Sequence, residues 1–236
     1  MHRLPIAILF AAAACDSVAS TDVTTAELGV YVYVEVDADA RAEVTARLTT
    51  DNPALLEVTY VRLAGGDTLR AQFPLAAAQT MTERSILGLY EYTATFDGVT
   101  GGQVLTVSLD RALETDALAT TVAMPADLTV AASATTFAHA SGVTLTWSGG
   151  TGASEVAVAV RDLDNCVDNF VRTAPLNAGQ LALATTDFVL KPNPPSSCRL
   201  EVELGAVATG TADPAYGRGG NVTARQSRTL ALTMTR

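Results

Sequence analysis

The chain has 236 residues, 15 Lys and Arg against 25 Asp and Glu, and a formal net charge of −10. Such an acidic balance repels phosphate backbones, which require basic patches, so nucleic acid is excluded as a partner and the acidity is read as serving solubility. The length after residue 14 suits two domains of about 100 residues each. Val and Thr enrichment with few aromatics favours strands.

The first stretch, Met1 to Cys15, has a positive start at Arg3 and then eleven apolar or small residues, Leu4 to Ala14. A spanning helix needs about 20 apolar residues, so this run is too short to span and fits the apolar part of an export signal. Ala12-Ala13-Ala14-Cys15 resembles the bacterial lipoprotein box, with Ala12 where that family prefers Leu. The resemblance implies cleavage before Cys15, acylation of its sulfur, for instance by palmitate, and a mature protein held to a membrane in the cell envelope. Several chains hold stably where one binds only reversibly. The alternative is an ordinary signal peptide cut after an Ala-x-Ala triplet. Asp16 to Thr25 is polar and aperiodic and reads as a flexible tether. The expected organisation is therefore a signal peptide over 1–14, a lipidated tether over 15–25, and β-sandwich domains over 26–124 and 125–236.

Glu27 to Val36 alternates with period two, placing Val30, Val32, Val34 and Val36 on one face and Tyr31, Tyr33 and Glu35 on the other. Ala42 to Thr50 is a second strand, and Asp51-Asn52-Pro53 a turn. Leu56 to Leu63 is a third strand, which Ala64-Gly65-Gly66-Asp67 reverses as a hairpin into Thr68 to Phe73. Gln79 to Leu87 is ambiguous. Tyr90 to Phe96 buries Tyr90, Tyr92, Ala94 and Phe96, and Gln103 to Leu109 buries Leu105, Val107 and Leu109. Ala117 to Met124 closes the first half. Seven or so short strands with Gly- and Asp-rich turns predict an all-β fold of antiparallel sandwiches.

Pro125 is read as a hinge. Ala126 to Val130, Thr135 to His139, Gly142 to Ser148 and Glu155 to Arg161 follow, with Val143, Leu145 and Trp147 sharing an inward face. A proline, a strand ending in Trp and a second Val-rich strand resemble the opening of fibronectin type III and related immunoglobulin-like modules. Trp147 precedes both later cysteines, unlike in antibody-type domains, so no antibody-style bridge between sheets is expected. Gly179 to Ala184 is a short strand. Cys198, Leu200, Val202 and Leu204 form one face of another. Thr211 to Gly220 reads as a long loop before two closing strands, Asn221 to Gln226 and Thr229 to Thr235.

With Cys15 acylated, Cys166 and Cys198 remain as a pair, read as a disulfide in an oxidising compartment. Its closed loop of 33 residues is worth about 3.7 kcal/mol on chain entropy. Two buried free thiols are the alternative. Catalytic candidates are few. His139 is the one histidine besides His2 in the signal, and no Gly-x-Ser-x-Gly elbow accompanies it. The oxygen-rich loop containing Asp162, Asp164 and Asp168 offers a calcium alternative. It departs from the EF-hand pattern at Cys166 and Val167, and a solvated loop pinned by the disulfide is preferred. No cofactor is expected. The expected role is a non-enzymatic structural or protein-binding module of the envelope, anchored to a membrane. The rival is a carbohydrate- or substrate-capturing lipoprotein using Tyr31 and Tyr33, although those rings are expected to face a partner sheet or a domain interface.

Overall fold

The computed structural model describes residues 17–50, 59–86 and 88–236. The expected signal, Cys15, and the Asp51-Asn52-Pro53 turn lie outside them. The described residues form eighteen strands linked by turns and short 3-10 segments. They are β1 (Ser17–Ala19), β2 (Gly29–Val36), β3 (Ala42–Thr49), β4 (Tyr60–Arg62), β5 (Thr68–Gln72), β6 (Gln79–Thr80), β7 (Thr82–Ile86), β8 (Leu89–Phe96) and β9 (Val104–Asp110). There follow β10 (Ala117–Ala123), β11 (Leu128–Ala132), β12 (Thr136–Ala138), β13 (Val143–Gly149), β14 (Glu155–Asp162), β15 (Phe170–Pro175), β16 (Gln180–Leu183), β17 (Ser197–Thr209) and β18 (Gly220–Thr235). The fold is all-β, as the alternation predicts.

One large sheet runs β1-β4-β3-β2-β18-β17-β14-β15, with β8 also on β3, β7 on β8, and β12 on β18. Two small sheets, β10-β9-β5-β6 and β11-β13-β16, complete the fold. Side chains alternate across a strand, and on β17 and β18 the inward positions keep one phase from end to end. Ala208, Val222 and Ala224 enter the first core, beside Val30, Val34 and Leu105. Cys198, Leu200, Val202, Leu204, Ala206, Leu232 and Met234 enter the second, beside Leu145, Trp147 and Val158. Both small sheets therefore cover the same face of the large sheet. The second sandwich sets β11, β13 and β16 against β14, β15, β17 and β18, an immunoglobulin-like arrangement.

Four expectations change. The two closing strands are one, because β17 and β18 pair without a break from Ser197↔Thr235 to Thr209↔Thr223. Residues past 125 thus complete the first core, so the cores do not divide at Pro125. Not every pairing is antiparallel: β1 pairs β4, β12 pairs β18 and β18 pairs β2 in parallel. The Gly65-Gly66 turn is not a hairpin. It carries the chain from β4 in the large sheet to β5 in a small one, with both glycines at positive φ (65° and 98°).

The fourth change is at the tether. Ser17 to Thr25 packs on the body instead of swinging free. β1 pairs with β4 in the register Ser17↔Tyr60, Val18↔Val61, Ala19↔Arg62. Ser20 and Thr25 are 0% and 2% exposed. The cause is a buried ion pair. Arg111 Nε lies 2.8 Å from Asp67 Oδ2, the two side chains 1% and 3% exposed. The guanidinium donates to the carbonyls of Ser20 (2.6 Å) and Val23 (2.9 Å) and to Thr25 Oγ1 (3.3 Å). Asp67 Oδ1 accepts the Ala112 amide at 2.8 Å. Removing one partner of a buried pair strands the other charge, at a cost of about 3–5 kcal/mol. Arg111→Met should lower unfolding free energy by about that amount in urea titrations, with amide exchange rising first in residues 17–27; unchanged protection there would overturn the clamp.

Candidate functional site

The outer face of the large sheet carries the richest group of functional side chains. Because Val30, Val32, Val34 and Val36 point into the first core, Tyr31, Tyr33 and Glu35 of β2 point outward. Pairing aligns them in rows. Arg47, Tyr31 and Asn221 stand side by side, as do Thr45, Tyr33 and Thr223, and then Glu43, Glu35 and Arg225. β8 extends the rows through Thr93 opposite Thr45 and Thr95 opposite Glu43. The tyrosines therefore do not face a partner sheet. Tyr33 is 39% exposed.

A depression of about 340 Å³ lies on this face, lined by Tyr31, Tyr33, Thr45, Arg47, Glu91 and Asn221 among others. Beside it a second of about 570 Å³ is lined by Tyr33, Glu35, Asp37, Arg41, Glu43 and Thr45. Arg47 Nε donates to Glu91 Oε1 at 2.7 Å, and Nη2 donates to the same oxygen. Tyr33 Oη donates to Glu35 Oε2 at 3.0 Å. Arg225 reaches Glu203 at 2.7 Å and Glu35 at 3.9 Å. Glu35 and Glu43 are cross-strand neighbours, a repulsive pairing of like charges, and Arg225 offsets it. Gly205 makes room for this arginine, since a Cβ there would sit 2.0 Å from Arg225 Nε. Burial, and secondarily the Glu35 charge, push the Tyr33 phenol up to about 12.

Elsewhere the expected site residues divide as follows. Cys166 and Cys198 form a disulfide, joining the loop after β14 to the start of the neighbouring strand β17 rather than crossing between sheets. Asp162, Asp164 and Asp168 share that loop but are differently engaged. Asp162 accepts backbone amides of Asp164 (3.0 Å), Val167 (3.0 Å) and Cys166. Asp164 is committed to Arg199, whose Nη2 lies 2.6 Å from Oδ1, and this holds its carboxyl near 2. Among the described residues, no three His, Cys, Asp or Glu side chains are grouped to hold a metal. His139 is bonded through Nε2 to the Phe188 carbonyl, 3.0 Å away. Trp147 is buried and donates its indole N–H to the Leu176 carbonyl at 2.8 Å.

No family model matches the chain, and no curated protein matches it. Solved structures do. A cytokine receptor complex is similar at 11% identity and a TM-score of 0.31 over 87% of this chain and 95% of that one. The Yersinia pseudotuberculosis adhesin InvE is similar at 18% identity and 0.24, over 89% of this chain and 59% of that one. Domains FN1–FN3 of chicken CNTN1 are similar at 11% identity and 0.29, over 94% and 69%.

The placement of Tyr33 is open to titration. Ultraviolet titration of the folded protein against Tyr33→Phe should assign a phenol ionising near pH 12 to Tyr33. Glu35→Gln should lower that midpoint yet leave it above 10, because burial is the larger cause. A midpoint at the ordinary tyrosine value in the wild-type protein would overturn the burial of the phenol beside Glu35.

Proposed function

We propose that this protein is a lipid-anchored module of the bacterial cell envelope, held to a membrane through Cys15, that works by contact with a protein partner rather than by catalysis. The observation that carries the reading is the Cys166–Cys198 disulfide. Stable disulfides belong to oxidising compartments outside the cytosol, and this one leaves Cys15 as the only other cysteine in the chain. That residue stands at the end of the apolar signal-like run. The contact role is supported by a scaffold of packed sheets with a broad polar and aromatic outer face. The absence of catalysis is an inference from chemistry: the chain's one imidazole beyond the signal is tied to a backbone carbonyl, and the loop carboxylates cap amides or pair with arginine.

The test is metabolic labelling with an alkynyl fatty acid. The wild-type protein should take up label, fractionate with membranes and have a mature N-terminus at Cys15. Cys15→Ser should lose both label and membrane association. A product that retains Met1 and stays in the cytosolic fraction would sink the reading.

One observation favours a second reading, capture of a carbohydrate. Tyr31 and Tyr33 turn outward beside Asn221, Arg47 and Glu91. Tyrosine rings offer apolar faces to the C–H side of a sugar while amides, guanidinium and carboxylate bond its hydroxyls. Calorimetry with neutral and amino-sugar oligosaccharides should then give binding that a Tyr31→Ala/Tyr33→Ala variant reduces at least about tenfold, a loss of about 1.4 kcal/mol. No heat with any of them at millimolar concentration would remove this reading.

A further inference from the structure

We infer that the end of the body carrying Ser17, the Ala64–Asp67 turn and the 111–116 loop lies directly on the lipid bilayer, so that the β17–β18 hairpin stands away from it. This rests on the proposed anchor at Cys15. Two Cα–Cα steps separate Cys15 from Ser17, a reach of at most about 7 Å. A flexible tether of ten residues would instead allow a typical separation of about 18 Å and any orientation. Nothing of that freedom remains at Ser17, because the segment behind it is fixed at successive points. β1 is paired along its length with β4. The Ser20 hydroxyl accepts the Ala64 amide at 2.9 Å. Arg111 holds the Ser20 and Val23 carbonyls, and the Thr24 amide donates to Glu27 Oε2 at 2.8 Å.

The register of the large sheet gives the direction. Ser17 is level with Tyr60, Thr49 and Gly29, and Val30, next to Gly29, is level with Gly220, where β18 begins. β18 then runs away from this end for fifteen further residues to Thr235, about 50 Å at strand rise. The far end carries the Cys166–Cys198 bridge, with Cys198 opposite Met234. Leu113 lies in the loop between Arg111, which holds the Ser20 and Val23 carbonyls, and Thr115, whose carbonyl accepts the Thr25 hydroxyl, so it sits beside the N-terminal segment. It is 88% exposed. A single exposed leucine is ordinary on a protein surface. Here it stands beside the lipid attachment, where an apolar side chain gains from the headgroup–acyl boundary. Asp22, Glu27 and Glu114 share this end with the exposed Arg218, whose amide donates to the Leu28 carbonyl at 3.1 Å, so one cation stands among three carboxylates and the contact depends on the anchor, not on attraction to anionic lipid.

The test couples the thiol of Cys15 to a maleimide lipid in the chain beginning at Cys15, which retains every described residue. Because the lipid is attached chemically, the result does not depend on whether cells acylate Cys15. A failure here overturns the mounting alone, whereas an unacylated Cys15 in cells overturns the anchor. On phosphatidylcholine bilayers, neutron reflectometry should show a protein layer at least about 50 Å deep. A twenty-residue Gly/Ser insertion between Asp16 and Ser17 should make that layer diffuse. In vesicles containing brominated lipid, Leu113→Trp should lose most of its added emission and Leu163→Trp, near the far end, should keep it, at low and high salt alike. Both substitutions are at exposed positions, so neither depends on a change in folding. Equal quenching at the two positions, or one density profile with and without the insertion, would overturn the proposal.

Discussion

The constraint on which the structure depends is the unbroken phase of the β17–β18 hairpin. Strand side chains alternate strictly, so a slip of one residue would turn the whole inward set outward. The hairpin must satisfy this in two cores at once: Val222 and Ala224 in the first, Leu232 and Met234 in the second, with Ala208 and Leu204 doing the same on the partner strand. Register is thus specified at both ends of a ladder that pairs thirteen residues. At the junction the apolar pattern lapses into Gln226, Ser227 and Arg228. Gln226 is buried, and donates to Asp127 Oδ1 at 2.6 Å. Its amide N–H is bonded while Oε1 is buried without a hydrogen-bond partner, and the two small sheets part at this position, so a large apolar side chain would have no single core to enter.

That lapse explains why β18 reads as two strands in sequence. Period-two alternation identifies a half-buried strand only while the apolar positions persist. The valines of β2, Leu105 to Leu109 of β9 and Val156 to Val160 of β14 meet that condition, and their inward faces are as expected. Routing between sheets has no comparable local signal. Gly65-Gly66 has the chemistry of a tight turn, and a turn forms there, closed by the Asp67 amide on the Ala64 carbonyl, but the sheet that receives the next strand is decided by Leu69 and Ala71 packing beside Val107 and Leu109. Such contacts are between residues dozens of positions apart.

The N-terminal segment shows the same limit more sharply. Ser17 to Thr25 has the composition of a solvated tether, and locally it has no reason to order. Its order comes from Arg111, about 90 positions away, whose guanidinium collects carbonyls that would otherwise be buried without donors. A buried backbone carbonyl needs a partner, and a buried guanidinium needs acceptors for its several N–H groups. The Nη2 group of Arg111 and these carbonyls satisfy one another, and Asp67 supplies the countercharge 2.8 Å from Nε. Neither Arg111 nor Asp67 stands out among 15 cationic and 25 acidic residues. The disulfide, by contrast, is legible because cysteines are few and each has little else to do.

The outer face is legible in part. Alternation alone puts Tyr31 and Tyr33 opposite the valines, but whether that face meets solvent or a second layer depends on where the small sheets lie. They share one side because the hairpin keeps its phase, and this leaves the other side uncovered along the length of β2, β3 and β18. The charges there are paired at the surface, where ion pairs add at most about 1 kcal/mol each. Arg47, with its side chain 43% exposed, is therefore a weak contributor to folding and is available, at little cost, to exchange Glu91 for an incoming group, whereas Arg225, 19% exposed, is held between Glu203 and Glu35. Val30 and Val34 beneath them are fixed in the core and cannot do so. The division between a packed inner face and a more open outer one follows from the same alternation that builds the hairpin, and among the described residues it leaves that outer side free for the contact role we propose.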